Sequence, residues 1–304
     1  MPAVISQKAV DRRRYWVGEI QKLSGNFGDD STRLEEELAK EVAEQGPGCL
    51  LDHLRLCGDI PEEYGHDSSE EKQYSKYTDA IISETFKFLG FRSLVLKERA
   101  DAADVEVFAK GYSLVADAKA FRLSRTAKNQ KDFKVQAMDG WKRGKPYAMV
   151  VCPIYQLPTK SSQIYEQAST RNVCIFTYSH LAVLVSLRDQ WNANDMEALL
   201  LSVFKSVATM NPSKDAASYW SILNRTIYDR ATAVEEYWRR EKVAAAEAIH
   251  IAKSQALGYL AREREKIMRL GHEEALLELI RVHKIDSRID VINSVTSNRI
   301  LDLK

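Results

Sequence analysis

The chain has 304 residues, 45% of them hydrophobic and 29% charged, which suffices for one large core or two modest ones. Its formal net charge of +1 gives no global sign of a nucleic-acid or membrane partner, so any such sign has to be local. The opening residues have no apolar stretch behind their basic groups, no run of about 18 uncharged apolar residues occurs, and Cys49, Cys57, Cys152 and Cys174 form no CxxC pair. A soluble cytoplasmic protein with core cysteines and no membrane partner is expected.

Over residues 6–56 apolar side chains recur at helical spacing (Leu34, Leu38, Val42; Leu50, Leu51, Leu54), which predicts short helices broken by Gly25, Gly28 and Gly46-Pro47-Gly48. A polar link over 59–69 precedes an amphipathic helix over 71–89, closed by Gly90 at a C-cap position. Three extended segments follow, over 93–97, 104–109 and 113–119, the last two joined by Lys110-Gly111 as a tight hairpin. Two further strands, 146–151 and 172–177, flank a helix over 161–168. Beyond His180 the pattern is helical almost to the end, with a role in packing or dimerisation. The expected fold class is α/β: a central mixed sheet flanked by helices, with helical extensions at both ends, in a single domain over 1–304. Its parts are a helical lead-in to about 60, a core over about 70–180 and a mainly helical part over 181–304.

Charge becomes informative by segment. Residues 119–145 carry nine Lys or Arg against two Asp, a balance of +7 that leaves −6 for the remainder. With Ser124, Thr126, Asn129 and Gln130 interspersed, the stretch suits phosphates and base edges; a solvated basic face is the alternative. Just before it, Asp104 opens one hairpin strand and Asp117 lies near the end of the other. Lys119, two residues on, points to the same side as Asp117. Two carboxylates from adjacent strand ends are hard oxygen ligands for a cation such as Mg²⁺, and the ammonium can stabilise phosphorane charge or act on the attacking water. The acid-x-Lys tripeptide is weak alone, since Glu70-Glu71-Lys72 and Asp302-Leu303-Lys304 also have it. A buried structural ion pair is the competing reading of Asp117.

The pattern Asp104, then Asp117-Ala118-Lys119, resembles the PD-(D/E)xK nuclease motif. The string VADAKAFRLSRTAKNQKDFKVQA (115–137) resembles the matching segment of the HindIII-like type II restriction endonucleases, as do SKYTDAI (75–81), ERADAADV (98–105) and TKSSQIYEQ (159–167). That resemblance implies a homodimeric bacterial enzyme acting on double-stranded DNA, cutting AAGCTT after the first A to leave 5′ overhangs. It implies Mg²⁺, two per site and replaceable by Mn²⁺, and a protecting DNA methyltransferase in the same system. It further implies Asp104, Asp117 and the Ala118 carbonyl as metal ligands, Lys119 acting on the water, and a groove-reading segment. Within that segment Asn129 suits adenine, Lys131 guanine and Asp132 cytosine or a neighbouring donor. Arg122, Ser124, Arg125 and Lys128 suit phosphates. Ala103 stands where the motif has proline, and the hairpin is shorter than its counterpart. Glu84, on the preceding helix, and Glu98 are candidate additional acids. A repair nuclease reading DNA structure, or a DNA-binding module with an inactive site, are the alternatives. Cys49, His53 and Cys57 share one helical face but lack a convincing fourth zinc ligand, and no GxGxxG or GxxxxGK[ST] loop occurs.

Overall fold

The computed structural model describes residues 3–96, 102–125, 130–230 and 234–294. Three helices lead in: α1 (Gln7–Ile20), α2 (Phe27–Gln45) and α3 (Pro47–Leu56). Ser6 caps α1 by accepting from the Ala9 N–H, and Asn26 caps α2 by accepting from the N–H groups of Gly28 and Asp29. Gly28 is thus a first-turn residue of α2, not the break expected of it: with its N–H satisfied by the cap, the missing Cβ costs little there.

Helix α4 (Ser69–Leu89) runs from the Ser68 cap to Gly90, whose left-handed φ of 100° closes it. A Cβ at Gly90 would stand 2.4 Å from the Cβ of Ala193, so only glycine permits this approach. Residues 77–86 of α4 are buried on every side, and Tyr74, Ile81, Phe86 and Leu89 join the core; a side chain such as Phe86 contributes roughly 1.5–3 kcal/mol by leaving water.

The sheet follows in the order β1 (Arg92–Val95), β2 (Val105–Phe108), β3 (Ser113–Ala118), β4 (Tyr147–Cys152) and β5 (Val173–Thr177). β1, β2 and β3 are antiparallel neighbours, whereas β3, β4 and β5 are parallel. Burial alternates in β2 but is continuous in β4 and β5, as a sheet covered on both faces only in its parallel half requires. The segment between β3 and β4 holds α5 (Gln130–Phe133) and α6 (Val135–Trp141), and α7 (Gln163–Thr170) links β4 to β5.

After β5 come α8 (Tyr178–Leu187), α9 (Ala193–Thr209), α10 (Ala216–Tyr228), α11 (Val234–Met268), α12 (His272–Val282) and α13 (Ile285–Ser294). α8 is apolar nearly all round and buried almost throughout, which fits a helix enclosed by other elements. The fold class expected from the sequence is the one observed. The chain divides into two compact units, residues 1–256 and 257–304; the first holds the sheet and its core. In the second, α12 and α13 have no buried residue. Among the described residues no helix is long and apolar enough to cross a membrane.

Candidate active site

The β2–β3 hairpin sets the geometry. Its turn is closed by the Ala109 N–H donating to the Tyr112 carbonyl at 2.9 Å, and the register pairs Phe108 with Ser113 and Val105 with Ala116. One step further along, Asp104 comes opposite Asp117. Asp117 is 2% exposed, the single charged residue of an otherwise apolar strand end, and a buried polar group of that kind is the informative exception in a core. Lys119, held to β4 by its N–H donating to Val151 at 2.7 Å, lies on the same side as Asp117, and its ammonium forms an ion pair with Asp117 Oδ2. That oxygen is buried, with the Lys119 ammonium beside it.

A third carboxylate arrives from α4. Asp79, buried, accepts the Ala118 N–H at 3.2 Å. The physical reason is that β2 pairs β3 only as far as Ala116, so the next N–H facing that side needs an acceptor from elsewhere. Asp79, Asp104 and Asp117 each offer an oxygen within 4.8 Å of the others. Lys76, one helical turn before Asp79, reaches Asp104 Oδ1 at 2.5 Å and Asp79 Oδ2 at 3.9 Å. Burial, reinforced by the charges of Asp104 and Asp117, pushes the Asp79 carboxyl well above the ordinary aspartate range. Burial opposes the Lys76 ammonium, but Asp79 and Asp104 outweigh it and raise its pKa. Three convergent carboxylates fit a hard divalent cation, which takes oxygen ligands.

The structure therefore brings together Asp104, Asp117 and Lys119, and it adds Asp79 and Lys76. Glu84 is not in this group: it pairs with Lys87 at 2.7 Å. Asp79 had a legible signal, since positions 79, 82 and 86 lie on one helical face with the buried Ile82 and Phe86. An acid on that face must meet a partner inside. Glu98, Lys128 and Asn129 lie outside the described residues, as does the side chain of Lys131.

The basic segment is anchored by acids distant in sequence. Arg122 pairs with Glu71 at 3.4 Å and donates to the Gly65 carbonyl at 2.8 Å, and Glu62 receives both the N–H and the hydroxyl of Ser124. Arg125 pairs with Asp132 at 3.1 Å and remains half exposed. Lys142 and Lys145 pair with Asp139 and Glu106 at 2.8 and 2.7 Å. Gln156 donates to the carbonyls of Arg122 and Arg125, pinning the loop to the chain beyond β4. A second group capable of ligating, Glu41, Cys49 and His53, is already engaged: His53 meets Tyr77 at 2.7 Å and Glu41 at 3.1 Å. Cys57 instead donates to the Leu54 carbonyl within the core.

Residues 14–296 match the model of the HindIII restriction endonuclease family. The chain is also 33% identical over 272 residues to the type II restriction enzyme HindIII of Haemophilus influenzae, covering 81% of this chain and 83% of that protein.

Proposed function

The chain belongs to the HindIII restriction endonuclease family and is a type II restriction endonuclease; on that premise we propose that it hydrolyses both strands of AAGCTT after the first A, leaving 5′ overhangs, with Mg²⁺ held at the β2–β3 acids. The observation that carries the chemistry is the convergence of Asp104, Asp117 and Asp79 within 4.8 Å beside Lys119.

In this reading Asp104, Asp117 and the Ala118 carbonyl hold the metal. Bound there, magnesium would supply charge neutralisation at the scissile phosphate and a lowered pKa for water. Lys119 is fixed at its backbone by Val151 and by Tyr178, whose hydroxyl donates to the Lys119 carbonyl at 3.0 Å. Its ion pair with Asp117 favours the first of its two possible roles, donating to the phosphorane oxygen, over taking the proton of the water. The burial of Asp117 and the apolar strand ends around it keep bulk solvent from competing for these contacts.

The segment after Lys119 reads DNA. Arg125 and Lys128 contact phosphates, while Asn129, Lys131 and Asp132 meet base edges in the major groove. Arg122 and Ser124 join them only by leaving Glu71, Gly65 and Glu62. Two copies related by a two-fold axis match the palindrome, and a DNA methyltransferase protects the host's own sites.

Plasmid digestion with and without Mg²⁺, followed by sequencing of fragment ends, tests this. Metal-dependent ends within AAGCTT support the reading, and discrete ends elsewhere overturn the specificity while keeping the enzyme class.

A further inference from the structure

The acidic centre contains its own cation. Three carboxylates within 4.8 Å repel one another unless positive charge stands among them, and Lys119 reaches only Asp117 among the three. The other two are served by Lys76, whose Nζ lies 2.5 Å from Asp104 Oδ1 and 3.9 Å from Asp79 Oδ2. The Lys76 side chain is 21% exposed, so the ammonium is not sealed in. Its chain also lines a cleft of about 200 Å³ between α2, α4 and β1, bordered by Ser31, Thr32 and Glu35. A lysine has a flexible four-carbon stem and a single compact charge, the properties of a displaceable counter-ion rather than of a fixed bidentate clamp.

We infer that Lys76 is the resident counter-ion of this centre, holding Asp104 and Asp79 together until a divalent cation takes over its charge and the ammonium withdraws toward the Ser31–Thr32–Glu35 cleft. The inference rests on the proposed metal-binding role of Asp104. Its consequence is a competition: every cation bound must first displace an ammonium, which lowers the apparent affinity by the cost of that displacement. The enzyme is thereby kept ordered without metal and prevented from holding metal too tightly between turnovers.

Mn²⁺ binding to the full-length protein without DNA, followed by the electron paramagnetic resonance signal of free Mn²⁺, tests it with no recourse to cleavage. Lys76→Met is expected to bind Mn²⁺ about tenfold tighter than the parent chain, the scale on which residues supporting a metal site act. Unchanged or weaker binding overturns the inference. Thermal unfolding of the same variant covers the case of impaired folding. Lys76→Met should melt lower than the parent in chelator and gain more from Mn²⁺ than the parent does; an equal gain again overturns it. Asp104→Asn separates the two layers. If it binds Mn²⁺ as the parent does, the metal-site reading itself fails, whereas lost binding in Asp104→Asn with no gain in Lys76→Met sinks only the counter-ion.

Discussion

Two buried charged clusters occupy neighbouring parts of this protein, and they differ in one respect. Among α1, α2 and α3, Arg12 meets Glu41 and Asp52, Arg13 meets Asp59 at 2.9 Å, and His53 sits between Glu41 and Tyr77. Each acid there is met by a separate donor set, nitrogen to oxygen. At the ends of β2 and β3, three aspartates share two lysines, and their oxygens converge within 4.8 Å of one another. Both clusters contain groups able to ligate a cation, yet only the second gathers three carboxylates at one point. Crowding like charges away from water costs free energy, so a fold that gathers three carboxylates at one point keeps them for something not made of protein.

The largest effect should come from the convergent cluster. Asp117→Asn removes a proposed metal ligand worth several kcal/mol in the transition state. At 1.4 kcal/mol per tenfold, cleavage should fall by on the order of 10³ or more while duplex binding in Ca²⁺ persists. Cutting that survives in a quantitative digestion would place the two clusters on the same structural footing.

In the cluster among the lead-in helices the same kind of change should be a matter of stability. Arg13→Met strands Asp59 in the core and takes donors from the Leu56 carbonyl and Tyr74. Loss of one partner from such a pair costs about 3–5 kcal/mol, readable by denaturant unfolding. Protein that remains folded should cut at the parental rate.

Acidification should separate the clusters by sign. Burial holds the His53 pKa below its ordinary 6.5, so its contribution is complete above 6.5 and is lost as pH falls below that value. Glu41 follows: although burial opposes it, hydrogen bonds from His53, Arg12 and Trp16 hold its carboxyl at about 2, so its contribution is complete above 4.5 and is lost toward 2. His53→Gln should flatten the acid side of a melting-temperature profile below pH 6.5. An unaltered slope would show that His53 does not titrate on unfolding.

Asp79 has the opposite sign. Its pKa in the folded chain is raised, so without metal its ionisation destabilises the fold as pH climbs above the ordinary 3.8. Asp79→Asn can still accept the Ala118 N–H through its amide oxygen and removes that cost. A rise of a few degrees in melting temperature at neutral pH in chelator is expected. A fall would mean that Lys76 already offsets the charge of Asp79.

What the sequence discloses follows from how local each feature is. The Lys110-Gly111 hairpin and the period-two placement of Asp104, Asp117 and Lys119 are short-range, and the structure brings these three residues together as that pattern predicts. Asp79 and Lys76 depend on how α4 lies across the sheet, and a helical pattern gives the face of a residue without the atom that it meets. That is why Glu84 stood as the candidate from this helix, although it pairs with Lys87 at the next turn. The basic segment was likewise legible as charge but not as structure. Glu71, Glu62 and Glu106, which anchor Arg122, Ser124 and Lys145, come from other parts of the chain.

Gly90 gives this geometry a remote adjustment point. Helix α4 carries Asp79 at its midpoint and stops against Ala193 at its C-terminal end, where a Cβ on residue 90 would stand 2.4 Å from its neighbour. The two points are eleven residues apart, roughly 16 Å of rigid helix at 1.5 Å per residue. A single methyl group added there pushes on the end of a rod whose middle carries Asp79, the acid beside the proposed metal ligands. Variation at the α4–α9 contact would therefore register as altered metal preference, and a screen for enzymes tuned to other cations could begin at a position that touches neither metal nor DNA.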